Sequence, residues 1–503
     1  MQAVNRDDIY DVLIIGAGLS GIGTACHLAR ECPDKRVAIV ERRECMGGTW
    51  DLFRYPGIRS DSDMLSFSYD FRPWNKLRTL ADGPSIREYI RQTAAEHRLE
   101  DKIHYGLQVR EASWDSREQC WTLQAVCQRS GEPRHFRSRF LMSCTGYYNY
   151  DSGYRPAFPE EQRFRGTIVH PQHWPEDLDY SGKRVLVIGS GATAVTLVPA
   201  MAGTAAHVTM LQRSPSYVYS LPGSDRLTGL LARLLPGDLA YRFARRRNIL
   251  LQQLTFKACR RWPQFMRRHL LRKAQKQLGP DFDMRHFSPA YMPWDERLCA
   301  VPDGDLFRVL REGSASVATG HIECFTENGV KLRSGEELAA DIIVTATGLD
   351  LQMMGGMAVR VDEQELKLEE QMTYRGALVQ NLPNLAWFFG YTNASWTLKA
   401  DLAGRYLCRL LKYMDARGLA SVTPRAPAGE SMEEGILDSL QAGYVQRGRR
   451  QLPRQGRTPP WEVKMDYRHD VQQLLERPVD DPCLVFVAAA DKPASPASTA
   501  HAA

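Results

Sequence analysis

A strand, a glycine turn and a helix follow one another twice in this chain, about 170 residues apart, and no other feature restricts the fold as strongly. The first copy runs from Asp11–Ile15 through Gly16-Ala-Gly-Leu-Ser-Gly21 into a helical pattern reaching Arg30. The second has Val185–Ile188 as its strand and Gly189-Ser-Gly-Ala-Thr-Ala194 as its turn. In such a turn the first glycine permits the tight bend and the second lets the backbone approach a pyrophosphate. The third position must be small so that helix packs on strand. The helix N-terminus then offers unpaired N–H groups and the positive end of its dipole to the phosphates. The two copies predict an α/β fold with two Rossmann-like dinucleotide-binding domains. Gly16, Gly18 and Gly21 form one binding turn, and Gly189, Gly191 and Ala194 the other.

The residues beyond each turn distinguish the two sites. Glu41 stands twenty residues beyond Gly21, at the end of the next strand, Arg36–Val40. A carboxylate there accepts hydrogen bonds from ribose hydroxyls. The strand after the second turn, His207–Leu211, runs into Gln212-Arg213-Ser214. An acid would repel a 2′-phosphate, whereas Arg213 and the Ser214 hydroxyl would bind one. The first site is therefore predicted to hold FAD and the second NADPH.

A chain of 503 residues predicts two to three domains. The order of motifs divides it into a first FAD-binding part, 1–146, and an NADPH-binding part, 147–222 with 281–345. A basic helical insertion, 223–280, a second FAD-binding part, 346–490, and a disordered tail, 491–503, complete the division. Fourteen lysines and arginines against two aspartates between Ser224 and Pro280 give that stretch +12, so with a total of +6 the remainder carries −6. In the insertion, Leu250, Leu251, Leu254, Phe265, Met266, Leu270 and Leu271 are interleaved with arginines. That pattern fits either a solvated basic face or peripheral contact with an anionic membrane, and nucleic acid is not expected as a partner. The eleven cysteines are scattered, without a Cys-x-x-Cys pair, so neither a disulfide framework nor a metal site is expected. Cys45 and Cys144 read as small packing residues. No apolar run is long enough to span a bilayer and the N-terminus lacks a signal-peptide pattern, which predicts a cytoplasmic protein. The stretch Thr423–Pro460, rich in Pro, Gly and Arg, reads as loop.

Two longer motifs narrow the chemistry. One is Phe164-Arg-Gly166-Thr-Ile-Val-His170-Pro-Gln-His-Trp174-Pro175; the other contains Gly47, Gly48, Trp50, Tyr55, Pro56, Gly57 and Asp61. They match F-x-G-x-x-x-H-x-x-x-W-[PD] and [AG]G-x-W-x4-[FY]P[GM]-x3-D. Through them the chain resembles the type I Baeyer–Villiger monooxygenases, a group of class B flavoprotein monooxygenases. Phrases such as Gly390-Tyr-Thr-Asn-Ala-Ser-Trp-Thr-Leu-Lys-Ala-Asp401 are similar to those of the ethionamide-activating subgroup. The related flavin-containing monooxygenases end the first motif in an aromatic residue and lysine, which Trp174-Pro175 does not.

The resemblance covers nearly the whole chain and implies oxygen insertion into ketones to give esters, through a flavin C4a-peroxide. It also implies oxidation of sulfides and thioamides, so that the partners are O2 and a small lipophilic ketone or sulfur compound. It further implies that Arg297 is the cation stabilising the charged adduct and that Asp61 orients it. Gly48, Trp50 and Asp61 would lie at the flavin, and His170 and Trp174 would couple the domains and retain NADP. One departure stands out: family members often carry a lysine before the catalytic arginine, where this chain has Glu296. NADPH selectivity then rests more heavily on Arg213. Three other readings remain open: a sulfur- or nitrogen-oxidising flavin monooxygenase, an NADPH–flavin oxidase or reductase, and a non-catalytic flavin redox sensor.

Overall fold

The structure is a computed structural model that describes residues 9–489 except 75, 77 and 439; the tail 491–503 lies outside the described residues. Two sheets organise it. The first is built on β1 (Ile9–Ile15), β2 (Val37–Val40), β3 (Ile103–His104), β4 (Leu107–Asp115), β5 (Cys120–Cys127) and β6 (Pro133–Ser143), in spatial order β4-β5-β6-β1-β2-β3. Around β1 the pairing is parallel, and β4, β5 and β6 form an antiparallel meander. The second sheet contains β7 (Thr167–Val169), β8 (Arg184–Ile188), β9 (His207–Gln212), β10 (Ala315–Thr319) and β11 (Ile342–Thr345). Its order is β10-β9-β8-β11-β7, parallel throughout.

The apolar runs at the head of each sheet explain why these strands are central. In β1, Val12 and Ile14 point into one core while Leu13 and Ile15 point into another, all at most 5% exposed. In β8, Val185 and Val187 face one core, Leu186 and Ile188 a second. A strand covered on both faces needs an unbroken apolar run rather than alternation. Each is followed by its helix, α1 (Leu19–Glu31) and α2 (Ala192–Met201).

The chain passes to the second sheet after β6 and returns after β11, with β12 (Ala358–Val361) joining β4 and β13 (Leu385–Trp387) joining β6, both parallel. Both passages are packed under a glycine turn. Gly16 (φ 104°) lies so close to the end of β6 that a Cβ there would be 2.6 Å from the Cys144 carbonyl oxygen. Gly189 (φ 147°) stands in the same relation to Ala346, at 2.3 Å.

The insertion forms three helices, α3 (Arg226–Leu234), α4 (Gly237–Arg261) and α5 (Pro263–Leu278). Helix α6 (Trp396–Ala416) packs on α1. Leu398 and Leu410 on it are fully buried, each contributing roughly 2 kcal/mol. No helix among the described residues is long and apolar enough to cross a membrane.

Two expectations need correction. The stretch 423–460 is not all loop: Ser431–Gly435 pairs with Arg454–Gly456, and α7 (Gly443–Gly448) lies between them. These elements are too short to show a period, and they are held by single apolar anchors, Ile436, Leu437, Val445 and Leu452, buried in the core beneath the first sheet. Cys144 is buried as expected, but Cys45 is exposed, because it sits on the surface loop leading into Gly47.

Candidate active site

One continuous cavity of about 970 Å³ joins the two glycine turns. Gly16, Gly18, Glu41, Gly48 and Trp50 line one end, Gly189, Gly191, Arg213 and Ser214 the other, and Asp61 and Arg297 the region between. Both helices that open onto it lack a side-chain cap: Gly18 and Gly191 are the N-caps of α1 and α2. Their first-turn N–H groups are donors without an intrahelical partner, the arrangement that receives phosphate. A Cβ on Gly191 would meet nothing within 4 Å, so the backbone there borders open space. Gly21 does not line the cavity: a Cβ on it would be 1.8 Å from the Gly16 carbonyl oxygen, so its smallness serves helix–strand packing. Ala194 occupies the matching position of the second turn and is fully buried.

Glu41 is 4% exposed. Its carboxylate accepts from the backbone N–H of Ala17 at 2.6 Å and of Arg43 at 2.8 Å, and burial raises its pKa against those hydrogen bonds. The Gly47–Trp50 loop is held against the first turn: a Cβ on Gly48 would come within 3.0 Å of the Gly18 Cα. Behind it, buried Asp51 meets Arg43 (2.7 Å), Arg87 (3.1 Å) and Arg54 (3.3 Å). Burial works to raise the Asp51 pKa, but Arg43, with Cys45 and Arg87, outweighs it and holds the carboxyl below its usual value. No sequence motif singled Asp51 out.

Arg297 Nη1 lies 3.7 Å from Asp61 Oδ2, and Nη2 donates to the Tyr391 carbonyl at 3.4 Å. Its Nε–H is buried without an acceptor. Burial opposes the charge, but Tyr444, Tyr147, Asp61 and Tyr148 around it push its pKa up, so the guanidinium stays charged. Tyr147 donates to or accepts from Tyr148 (2.6 Å between hydroxyls) and stacks on Trp396 with ring centroids 4.9 Å apart. The Trp396 indole N–H donates to Ser20 Oγ in α1, at 2.9 Å. Tyr444 and Arg447 of α7 complete the wall. The sequence reading missed these aromatic residues. Tyr147 and Tyr148 follow closely on β6 and could have been found from that position; Tyr444, inside an aperiodic stretch, carried no signal.

The Tyr55–Asp61 loop is pinned to the second sheet's elements at three points. A Cβ on Gly57 would meet Ala200 Cβ of α2 at 2.5 Å, Arg59 is paired with Asp305, and Asp61 faces Arg297. His170 and Trp174 stand outside the cavity wall. The His170 ring packs on Gly153, where a Cβ would be 2.1 Å from Cε1, and its Nδ1 accepts from the Gln172 N–H at 3.2 Å. Burial lowers the His170 pKa. Trp174 packs against the core that holds α2.

At the second turn, Glu296 also lines the cavity. Burial raises its pKa and the nearby Arg213 charge opposes that rise. Arg333 and His321, unremarked in the sequence, line the same end as Arg213.

Comparison with known proteins agrees with this geometry. Residues 10–353 match the family described as FMO-like, flavin-binding monooxygenase-like. The chain is 60% identical over 485 residues to the putative FAD-containing monooxygenase MymA of Mycobacterium tuberculosis, covering 96% of this chain and 98% of that one. Among solved structures it is similar to an oxidized steroid monooxygenase bound to NADP (TM-score 0.76, 22% identity, 95% of this chain and 100% of that chain). It is also similar to an ε-caprolactone-bound cyclohexanone monooxygenase (TM-score 0.69, 19% identity, 83% and 90%).

Proposed function

This chain belongs to the flavin-binding monooxygenase-like family, and from that premise we propose that it inserts one atom of O2 into ketones, using FAD in the first site and NADPH in the second. The observation that carries the proposal is the single cavity with a charged arginine, its Nε–H unpartnered, between two uncapped helix N-termini. The residues fit both groups. Gly16, Gly18, Glu41, Gly48 and Trp50 would hold FAD, and Gly189, Gly191, Arg213 and Ser214 would hold NADPH. Bound there, FAD reduced by NADPH would supply the electrons that activate O2, one oxygen atom going to the substrate and the other leaving as water.

The chain's own residues do the rest. Arg297 presents a fixed cation where negative charge develops on the attacked carbonyl oxygen, and a cation already in place needs no reorganisation. Asp61 holds that guanidinium toward the cavity. The wall of Tyr147, Tyr148 and Trp396 excludes water and leaves an apolar surface suited to a lipophilic ketone. The ε-caprolactone in the cyclohexanone monooxygenase is a cyclic ketone's carbon skeleton with oxygen inserted beside the carbonyl, the class of product expected here. Sulfur oxidation and placement in the ethionamide-activating subgroup rest on the motif phrases alone.

Product analysis tests the reading. Aerobic incubation with NADPH, labelled O2 and a panel of ketones and a methyl sulfide is expected to give esters carrying one labelled oxygen. Sulfoxide without ester would replace the proposal with a heteroatom oxygenase. NADPH consumption yielding only hydrogen peroxide across the panel would overturn it in favour of an oxidase.

A further inference from the structure

Eleven of the thirteen exposed large hydrophobic side chains among the described residues fall between Leu227 and Phe265, inside the insertion with its +12 charge. They are ordered. On α3, Leu227, Leu230 and Leu234 are spaced to share one face. On α4, Leu239, Phe243, Leu250 and Leu254 also recur on one face, and at 3.6 residues per turn Arg242, Arg246 and Arg261 fall on the same stripe. Trp262 and Phe265, 59% and 61% exposed, stand at the corner between α4 and α5.

The opposite face of α4 is fixed. Arg245 is buried there, donating to the Leu65 and Ser68 carbonyls at 2.8 and 2.7 Å, and the Tyr241 hydroxyl meets Ser68 Oγ at 2.8 Å. The exposed stripe therefore belongs to a helix held rigidly on its inner side. Arg247, Lys257 and Arg260 have acidic partners, whereas Arg242, Arg246 and Arg261 have none among the described residues. A second cavity of about 560 Å³ lies beside the same helix, lined by Ile249, Gln253 and Phe256, and Ala394 borders both it and the large cavity.

We propose that the outer face of α3, α4 and the α4–α5 corner docks on an anionic lipid bilayer. Leucine, phenylalanine and tryptophan side chains enter the acyl boundary while Arg242, Arg246 and Arg261 meet the phosphates. A second copy of the chain is a poorer occupant, since it would bring two basic faces together. Nucleic acid would satisfy the arginines but leave the large apolar side chains in water. Docking is independent of the ketone chemistry, so its test reads binding alone.

The test is flotation of the purified full chain with vesicles of phosphatidylcholine and of a two-to-one phosphatidylcholine–phosphatidylglycerol mixture. The chain is expected to float with the mixed vesicles, less so as salt rises, and not with phosphatidylcholine alone. Arg242→Gln with Arg246→Gln should weaken partition about twenty-five-fold, about fivefold per arginine. Leu250→Asp with Leu254→Asp should abolish it. Flavin content and melting temperature report folding; should the leucine variant fail to fold, the arginine variant decides. Equal flotation with both vesicle types, or none, overturns the proposal. So does a patch variant that converts a dimer to a monomer by light scattering, or a wild-type chain that binds duplex DNA but not the mixed vesicles.

Discussion

Asp61→Asn tests whether the acid acts through Arg297. At 3.7 Å the pair's Coulomb energy is about 4.5 kcal/mol at an effective dielectric of ~20 and about 1 kcal/mol in bulk water. Asp61 is 52% exposed and Arg297 31%, so solvent screening places the interaction near the lower bound, about 1–2 kcal/mol. If Asp61 only holds the guanidinium in place, Asp61→Asn should lower kcat/KM for a ketone about 5- to 30-fold. Arg297→Ala removes the cation itself and should cost about 10²–10³-fold. The double variant is the decisive measurement. With no guanidinium left to orient, adding Asp61→Asn to Arg297→Ala should change kcat/KM by less than about twofold. The assay is ester formation by gas chromatography, with NADPH oxidation followed separately so that uncoupling is not mistaken for catalysis. Additive losses, with Asp61→Asn costing the same factor in both backgrounds, would refute the argument and give Asp61 a role independent of Arg297.

Three further outcomes are expected. Arg213→Ala should raise KM for NADPH and leave KM for NADH unchanged, while Glu296→Gln should lower KM for NADPH. Because burial raises the Glu296 pKa, KM for NADPH should fall as pH drops through that raised value and the carboxylate beside Arg213 loses its charge; steady-state kinetics on Glu296→Gln should show this limb flattened. Gly21→Ala places a methyl 1.8 Å from the Gly16 carbonyl oxygen, so it should destabilise by about 3 kcal/mol or more, read as lost flavin absorbance and a lower melting temperature. Asp51, whose pKa Arg43, with Cys45 and Arg87, depresses, stabilises the fold fully above its unfolded pKa of about 3.9 and loses that contribution as pH falls through the lower folded value. Asp51→Asn should lose about 3 kcal/mol at neutral pH, and denaturant unfolding should show the gap to the parent chain closing below pH ~4.

The features legible in the sequence are those whose cause is local. A glycine turn must bend, admit phosphate and let a helix close on its strand within six residues, so Gly16–Gly21 and Gly189–Ala194 carried their own explanation. The strands β1 and β8 were equally plain, because burial on both faces demands an unbroken apolar run. The features that escaped have non-local causes. Asp51 is important because Arg43, Arg54 and Arg87 converge on it, and Arg87 arrives from a separate helix, Gly83–Glu96. Tyr444 reaches Arg297 from a six-residue helix too short for a period, anchored by Val445. His170 was visible as part of a motif, but its packing on Gly153 depended on how strands fold back.

The same division explains how the site is put together. Each glycine turn is complete within its own sheet, and either could exist without the other. The central region could not: Asp61 is on a loop beyond the first turn, Arg297 comes before β10 of the second sheet, and Trp396 and Tyr444 arrive after the chain has returned. The Tyr55–Asp61 loop supplies the link. Gly57 lies on α2, Arg59 holds Asp305 and Asp61 faces Arg297, so three contacts in seven residues set the distance between the two sheets' elements at the point where their ligands would meet. A motif that reads as [FY]P[GM]-x3-D is thus a spacing device. Its aromatic residue is buried in the core that holds α2, its glycine allows the close approach, and its acid lies 3.7 Å from the Arg297 guanidinium.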